Sequence, residues 1–428
     1  MPVRPCPFLR LAGAATLVAL ASLATAGELA DDFGTYRFDD GVCVSGGRMD
    51  ESGQARLMFM DVVGSRRGGL FDGDGSGFVS VFDPAHALAF DASRDTMSWS
   101  EGGHTRTARR LHAPRRKDVG FDSGGVALAG TLYLPRVASE TPYPGVVLAH
   151  GSGRQTRYAA AWTAFFVDRG FAVLVYDKRG VGASAGDYAT AHFADQQGDL
   201  AAAVHWLAAH PDVDGERVGI HATSQSGWYA PAVAGDAPVA FLVARAGPSL
   251  PVAATTLHER SEEWRAAGLS PGEIEEAAAL WRALMAAAAQ GRTRDAAQAL
   301  VDARRDAPWF AKAYEGWDQI GPAWWGRQRV DTRFDPVADL QRHPVPTLWF
   351  LAERDENVPH TASAAALRAA DLPDDLLTVV DVADAPHSFL VTEADGSMHY
   401  TYDYWPRIAD WLQARGFTGP ATPAARCG

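Results

Sequence analysis

The 428-residue sequence is poor in cysteine and has no excess of positive charge. Its three cysteines form no histidine–cysteine spacing typical of metal sites, so we expect no structural zinc and predict no cofactor. Lysine and arginine total 39 against 52 aspartates and glutamates, which gives a net charge of −13. Because such a surface repels a polyanion on average, nucleic acid is not an expected partner.

The apolar stretch nearest the N-terminus is too short to cross a membrane. It covers residues 11–23, whereas a span needs roughly 20 apolar residues, and two arginines precede it. The small-x-small triplet Ala24-Thr25-Ala26 follows, as signal peptidase requires. We therefore predict a signal peptide over residues 1–26, export to the periplasm or the medium, and no stable membrane anchor after cleavage.

Removal of that segment would leave two cysteines, Cys43 and Cys427. In an oxidising compartment they could pair and tie the C-terminal tail to the first domain. Two unpaired thiols remain an open alternative. The hydrophobic content of 47% is enough for a large core in a chain of this length.

Residues 27–116 are rich in glycine and aspartate and contain short alternating apolar runs. The pattern predicts a small β-rich domain of antiparallel strands joined by Asp-Gly turns. Residues 72–83 match the twelve-position loop of an EF-hand, but flanking helices are lacking and the final ligand is Asp instead of Glu. We favour a hairpin turn there and predict no metal site. The basic run at residues 115–117 is interpreted as a solvated linker.

From residue 117 to residue 428, apolar strand-like runs alternate with helical stretches. This rhythm predicts an α/β domain with a mostly parallel sheet covered by helices on both faces. Residues 249–336, approximately, interrupt it with an alanine-rich helical pattern that falls between two strands. We expect this insertion to form a helical lid over the active site.

The segment Arg217–Ala230 reads RVGIHATSQSGWYA and has the outline of a nucleophile elbow. A nucleophilic serine stands on a sharp strand-to-helix turn, where only small side chains fit two residues before and after it. Ser224 meets this condition with Ala222 and Ser226, although glycine is usual at both positions. Ser226 is the alternative nucleophile, but it would put Trp228 at a position that must be small. Ser224 is therefore favoured.

The two partners of such a serine follow it in the order acid, then histidine. Asp355 lies in a charged loop after a strand-like run, at the sheet edge where open parallel sheets carry functional groups. Glu353 and Glu356 flank it and are alternative acids. His387 follows the next apolar run, where the base is expected, and His360 is a weaker candidate.

A glycine-rich loop provides candidates for an oxyanion hole. His150-Gly151-Ser152-Gly153 follows a strand-like run, and flexible glycines let backbone N–H groups turn toward a substrate oxygen. We assign the hole to the N–H of Ser152 and the N–H of Gln225, the residue after the nucleophile. His150 is interpreted as structural because it precedes the loop.

These segments together resemble the α/β-hydrolase superfamily. Residues 176–184, YDKRGVGAS, resemble the YDkRGvGxS segment of the branch that contains dienelactone hydrolases, acyl-CoA thioesterase-like enzymes and EstD-like bacterial esterases. Residues 224–231, SQSGWYAP, are similar to the SQGGWxAP segment of the same branch. The resemblance covers Asp118 to about Ala414. It implies an α/β-hydrolase fold and a triad of Ser224, Asp355 and His387.

The sequence therefore predicts an exported serine hydrolase that cleaves a small-molecule carboxylic ester through an acyl-enzyme. A peptidase or amidase and a thioesterase of the same fold are alternatives, and a non-catalytic ligand-binding homologue is the alternative from another class. Trp228, Trp324 and Trp325 are candidates for an apolar substrate pocket. Arg245 is interpreted as a substrate-carboxylate contact or a structural salt bridge. The patterns leave the oligomeric state open.

Overall fold

A computed structural model describes most of the chain beyond its N-terminal segment. The described residues are 33–51, 54–64, 67–73, 77–136, 139–393, 398–401, 403–419 and 427. The predicted signal peptide, residues 1–26, lies outside them. Within these ranges, no helix has both the length and the apolar character that crossing a membrane would require.

Eight antiparallel strands in the first part of the chain form a closed barrel in the order β1 to β8, and β1 closes it by pairing with β8. The segment that resembles an EF-hand loop contributes part of β4 and β5, which pair with each other. The strands are β1 Gly34–Phe38, β2 Cys43–Glu51, β3 Gln54–Met60, β4 Gly68–Gly73, β5 Phe78–Ser80, β6 Ala87–Phe90, β7 Thr96–Glu101 and β8 His104–His112.

Alternation along β3 divides its side chains between two cores. Leu57 and Phe59 belong to the aromatic interior of the barrel. Met58 and Met60, on the opposite face of the strand, belong to the apolar cluster of the α/β part. The barrel therefore packs directly against the rest of the molecule.

Polar and covalent contacts also join the barrel to the α/β part. Cys43 forms a disulfide with Cys427, at a sequence separation of 384. The buried carboxylate of Asp168 accepts hydrogen bonds from the hydroxyls of Thr35, at 2.8 Å, and Ser45, at 3.2 Å. Of the two alternatives for the cysteines, the structure has the paired one.

The α/β part is built on an eight-stranded sheet with the strand order β16-β15-β14-β13-β11-β12-β10-β9. The pairs from β12 to β16 are parallel, and β9 and β10 form an antiparallel edge. The strands are β9 Arg115–Ser123, β10 Val126–Leu134, β11 Tyr143–Ala149, β12 Ala172–Tyr176, β13 Val213–Thr223, β14 Phe241–Arg245, β15 Thr347–Ala352 and β16 Leu377–Val382.

The central strands of the sheet are buried because helices cover both of its faces. Strands β11, β12 and β15 are buried along their whole length, as expected when helices cover both faces of a parallel sheet. The interpretation of residues 115–117 as a linker is wrong, because they form the exposed start of the edge strand β9. The helices that accompany the sheet are α1 Ala160–Asp168, α2 Phe193–Ala208, α3 Ala230–Val233, α10 His360–Arg368 and α11 Tyr404–Ala414.

Helices fill the connection between β14 and β15. They enclose their own apolar cluster, whose buried members include Trp264, Trp281 and Trp309. The helices of this insertion are α4 Val252–Ala266, α5 Pro271–Ala289, α6 Arg294–Asp302, α7 Phe310–Ala313, α8 Pro322–Asp331 and α9 Pro336–Arg342. A short hairpin of β17 Leu390–Thr392 and β18 Met398–Tyr400 precedes α11.

Candidate active site

Ser224 lies on a sharp turn between β13 and a short 3-10 helix, Ser224–Trp228. Its φ is 50°, a left-handed conformation that costs a non-glycine residue roughly 1–3 kcal/mol. The turn packs closely on the end of β14, where a Cβ on Gly227 would come within 2.6 Å of the Cα of Gly247. This strained backbone is typical of a strand-to-helix turn that presents a nucleophile.

Ser226, the alternative nucleophile, is fully buried in the same turn. Its hydroxyl accepts a hydrogen bond from the N–H of Thr223 at 2.7 Å and donates one to the carbonyl of Thr223 at 3.0 Å. The hydroxyl thus closes the turn and uses both its donor and its acceptor capacity within it.

His387 lies in the loop after β16, between Ser224 and Asp355. Its Nε2 is 2.9 Å from the Oγ of Ser224, and its Nδ1 is 2.8 Å and 2.9 Å from the two carboxylate oxygens of Asp355. An ionised carboxylate can only accept, so Nδ1 carries the proton and Nε2 accepts from the serine hydroxyl. The histidine is only 5% exposed, which shields these hydrogen bonds from water.

Asp355 is buried in the loop directly after β15. Besides the imidazole, its Oδ1 accepts hydrogen bonds from the backbone N–H groups of Asn357, at 2.9 Å, and Val358, at 2.8 Å. These bonds fix the orientation of the carboxylate toward the histidine.

The alternative acids and the alternative base have other partners. Glu353 accepts from a backbone N–H of the histidine loop at 3.0 Å, and Glu356 accepts from the backbone N–H of His387 at 3.3 Å. His360 is paired with Asp381 at 2.9 Å. Both glutamates therefore support the histidine loop through its backbone, while Asp355 contacts the ring itself.

The glycine-rich loop after β11 lies beside the nucleophile turn. A Cβ on Gly151 would be 3.6 Å from the Cβ of Ser224. Ser152 follows Gly151 and is exposed, and Gln225 follows Ser224 in the chain. The role of both residues in an oxyanion hole stays a prediction. The N–H of Gly151 donates to the side chain of Gln155 at 3.0 Å, which uses this donor within the loop.

His150, at the start of this loop, is buried and packs edge-on against Tyr176 with ring centroids 4.6 Å apart. Burial, together with the nearby charge of Lys178, lowers the pKa of His150 to about 3. The ring therefore stays neutral at ordinary pH, as suits a structural histidine.

The three candidate pocket tryptophans lie in two separate clusters. Trp228 is buried, donates its indole N–H to a backbone carbonyl at 3.0 Å and stacks on Phe193 at 5.2 Å. Trp325 is buried in the insertion and also donates to a carbonyl at 3.0 Å. Trp324 is half-buried and packs on Trp317 at 4.8 Å. These contacts describe core packing, and the pocket role stays a prediction.

The arrangement can move a proton from the hydroxyl of Ser224 to the ring of His387, with Asp355 stabilising the resulting imidazolium. In the part of the chain that the structure describes, no group of three histidine, cysteine or acidic side chains is placed to hold a metal ion. Ser224, His387 and Asp355 together can support nucleophilic attack assisted by a base.

A match to a protein-family model identifies the family to which the chain belongs. The family model of the X-Pro dipeptidyl-peptidases (S15 family) matches residues 124–378, more than half of the chain. The chain belongs to the S15 family. This is a family of α/β-hydrolase-type serine peptidases, so the predicted α/β-hydrolase fold is confirmed and the S15-family chain is a hydrolase. The match includes Ser224 and Asp355 and ends before His387.

Several solved structures are similar to this chain at low sequence identity. An esterase of Pyrococcus furiosus is 15% identical over 70% of this chain and 91% of its own, with a TM-score of 0.44. The α/β hydrolase GrgF from Penicillium sp. is 18% identical over 70% and 98%, with a TM-score of 0.45. Est1E from Butyrivibrio proteoclasticus, with bound ferulic acid, is 16% identical over 70% and 97%, with a TM-score of 0.43. No curated protein matches the chain.

Two cationic residues beside the candidate active site make contacts that the sequence patterns do not predict. Arg245 donates from Nη1 to the carbonyl of Ser388, in the histidine loop, at 2.7 Å. Lys178 donates from Nζ to the glycine-rich loop and to Gln225. Their position is the feature of the sequence that could have identified them, because both residues lie at or just past the carboxyl end of a sheet strand.

Proposed function

We propose that this protein is a serine hydrolase in which Ser224 is the nucleophile, His387 the general base and Asp355 the acid that orients the base. The observation that carries the proposal is the ring of His387, with Nε2 2.9 Å from the serine Oγ and Nδ1 2.8 Å from the aspartate. The positive φ of Ser224 supports the same assignment, because backbone strain of this kind concentrates at functional residues.

In the proposed reaction the Oγ of Ser224 attacks a carbonyl carbon while Nε2 of His387 takes the hydroxyl proton. The oxyanion of the tetrahedral intermediate accepts hydrogen bonds from the N–H groups of Ser152 and Gln225. The intermediate collapses, the leaving group takes the proton from His387, and the serine remains acylated. Water then attacks the acyl carbonyl carbon while Nε2 of His387 takes its proton. The bond between this carbon and the Oγ of Ser224 breaks, the Oγ takes the proton back from His387, and the acid product leaves.

The preferred substrate is a carboxylic ester. The resemblance of residues 176–184 and 224–231 to the esterase-containing branch supports it. A peptidase is the second candidate, because the chain belongs to a family described as X-Pro dipeptidyl-peptidases. The same acyl-enzyme chemistry serves both, so only the leaving group and the binding contacts distinguish them.

The helical insertion is proposed as a lid over this site. Near its end, Asp331 accepts from the backbone N–H of Phe193 at 2.9 Å, and Arg327 donates to a loop carbonyl at 3.1 Å. Phe193 stacks on Trp228, four residues after the nucleophile, and Trp228 donates to the carbonyl of Leu250 at the start of the insertion. Both ends of the insertion are therefore anchored beside the nucleophile turn.

Export is proposed from two features. Residues 1–26 have the pattern of a signal peptide. Cys43 and Cys427 form a disulfide, and disulfides persist in oxidising compartments such as the periplasm or the medium.

The test is hydrolysis by the exported protein of p-nitrophenyl acetate, butyrate and octanoate beside alanyl-prolyl-p-nitroanilide. We expect ester turnover that disappears in Ser224→Ala and persists in Ser226→Ala, the matched control two residues away. Turnover of the anilide with little ester turnover would replace the esterase proposal by the peptidase. If neither substrate is turned over, the enzyme proposal fails and a non-catalytic binding protein takes its place.

A further inference from the structure

Lys178 is a buried cation beside the candidate active site. It lies two residues beyond β12 and is 3% exposed. Its Nζ donates to the carbonyls of Gly151, at 2.5 Å, and Gly153, at 3.1 Å, and to Oε1 of Gln225, at 3.1 Å. An ammonium group has three donors, so each of them has one acceptor.

These three acceptors belong to two segments that are far apart in the sequence. Gly151 and Gly153 enclose Ser152 in the glycine-rich loop, and Gln225 follows the nucleophile. The backbone N–H groups of Ser152 and Gln225 are the two assigned to the oxyanion hole. A single nitrogen therefore joins both halves of that hole from its buried side.

The burial of the Lys178 ammonium group costs stability. Among the described residues, its Nζ has only carbonyl and amide oxygens as hydrogen-bond acceptors, with the ring of Tyr188 at 5.8 Å. A buried cation that is not paired with a carboxylate loses solvation that neutral acceptors replace only in part. Accordingly, burial lowers the pKa of Lys178 to about 7. A residue that costs stability in this way needs another reason to be there.

We infer that Lys178 is a positioning residue, which holds the loop that carries Ser152 at a fixed distance from Gln225 so that both N–H groups meet one oxyanion. This inference rests on the proposed serine-hydrolase function. The loop has a second support from the same residue, because the backbone N–H of Lys178 donates to the carbonyl of Gln155 at 3.2 Å. The side chain acts through the loop and is not placed in contact with substrate.

The test compares Lys178→Met with Lys312→Met in the full exported protein. Lys312 is an exposed lysine in the insertion that also donates to a backbone carbonyl, at 3.3 Å, so it controls for the loss of a charge and of such a bond. For Lys178→Met we expect kcat for a p-nitrophenyl ester to fall about 100-fold, the order for the loss of an oxyanion donor, with KM changed less than about threefold. The control keeps the wild-type kcat.

A second readout separates positioning from general damage. A trifluoromethyl ketone forms a tetrahedral oxyanion adduct with a catalytic serine, so its Ki should rise by about the same factor as kcat falls. If Lys178→Met does not fold, Gln225→Leu decides. This variant keeps the backbone N–H and removes the side-chain amide whose oxygen accepts from Lys178, and we expect kcat to fall about tenfold.

Two outcomes would overturn the inference while Ser224→Ala remains inactive: an unchanged kcat in the folded Lys178→Met or Gln225→Leu protein, or a loss of kcat with an unchanged ketone Ki. If Ser224→Ala retains full activity, the proposed function itself has failed. The two failures are therefore distinguishable.

Discussion

At the scale of single residues, Ser224 and Ser226 lie in one turn but have different hydrogen-bond partners. The hydroxyl of Ser224 is 2.9 Å from Nε2 of His387. Ser226 is fully buried and its hydroxyl is bonded twice to Thr223. We expect Ser226→Ala to lower the free energy of unfolding by about 1–3 kcal/mol, because the N–H of Thr223 loses its partner. Ester or amide turnover should stay within a fewfold of wild type. Chemical denaturation and kcat, measured on the same sample, check this, and loss of turnover without loss of stability would contradict it.

Asp355 holds the ring of His387 through both carboxylate oxygens. In Asp355→Asn the amide can donate to Nδ1, which favours the tautomer whose Nε2 no longer accepts from Ser224. We therefore expect kcat to fall by roughly 10⁴-fold, the order seen for this change in serine proteases. Glu356→Gln is the matched control, because its side chain can still accept from the backbone N–H of His387 and should lose little activity. Comparable losses in the two variants would argue against Asp355 as the orienting acid.

The residues that follow an apolar strand could be assigned from the sequence more easily than the residues that support them. Ser224, Asp355 and His387 each come after a strand-like run, so their shared edge of the sheet is predictable. Lys178 and Arg245 contact backbone carbonyls of loops distant in sequence, at Gly151 and Ser388. Carbonyl acceptors leave no signature in a sequence because every residue has one.

At the scale of elements, a buried carboxylate at the end of α8 is bonded to the start of α2. Asp331 accepts from the N–H of Phe193 at 2.9 Å, and burial raises the pKa of Asp331 from 3.8 to about 6. The folded state thus binds the proton more tightly than the unfolded state. Stability is lost as pH rises from about 4 to about 6, and the whole cost of the charge is present above pH 6.

Asp331→Asn keeps an acceptor for the N–H of Phe193 and removes the buried charge. We expect the variant to be more stable than wild type at pH 8, by about 1–3 kcal/mol, and nearly equal to it at pH 4. Urea denaturation at the two pH values measures this difference. A variant that is less stable at pH 8 would show that the ionised carboxylate stabilises this contact.

The elements with a clear apolar pattern are the predictable ones. The buried strands β11, β12 and β15 coincide with continuous apolar runs, and the helices α5 and α6 lie within the alanine-rich stretch of residues 249–336. Strand β9 begins with exposed charged residues, so residues 115–117 have no strand pattern. The closure of the barrel depends on the pairing of β1 with β8, a long-range contact that alternation within either strand does not specify.

At the scale of the whole molecule, one disulfide links the barrel to the C-terminal tail. Cys43 and Cys427 are 384 positions apart, so the bond restricts almost the entire unfolded chain. We expect Cys43→Ser/Cys427→Ser to lower the free energy of unfolding by about 2–5 kcal/mol, with little change in kcat. Thermal unfolding with and without reductant checks this, because reductant should destabilise wild type and leave the double variant unaffected. Equal sensitivity of the two proteins to reductant would contradict a bonded pair.

The packing of the barrel against the α/β part could not be predicted from the sequence. The division of β3 between two cores follows from alternation only once the partner surfaces are known. The composition of the N-terminal part predicts short strands, but the side chains that face the second core look like ordinary strand residues. Sequence reasoning therefore predicts two units more readily than the way they pack.

Covalent labelling can identify the nucleophile of the protein, proposed here as Ser224, without any assumption about the substrate. The purified protein would be treated with a fluorophosphonate and digested, and the adduct would be located by mass spectrometry. We expect one adduct, on Ser224, that is absent from Ser224→Ala and present in Ser226→Ala. An adduct on another residue, or no adduct in a folded protein, would contradict it.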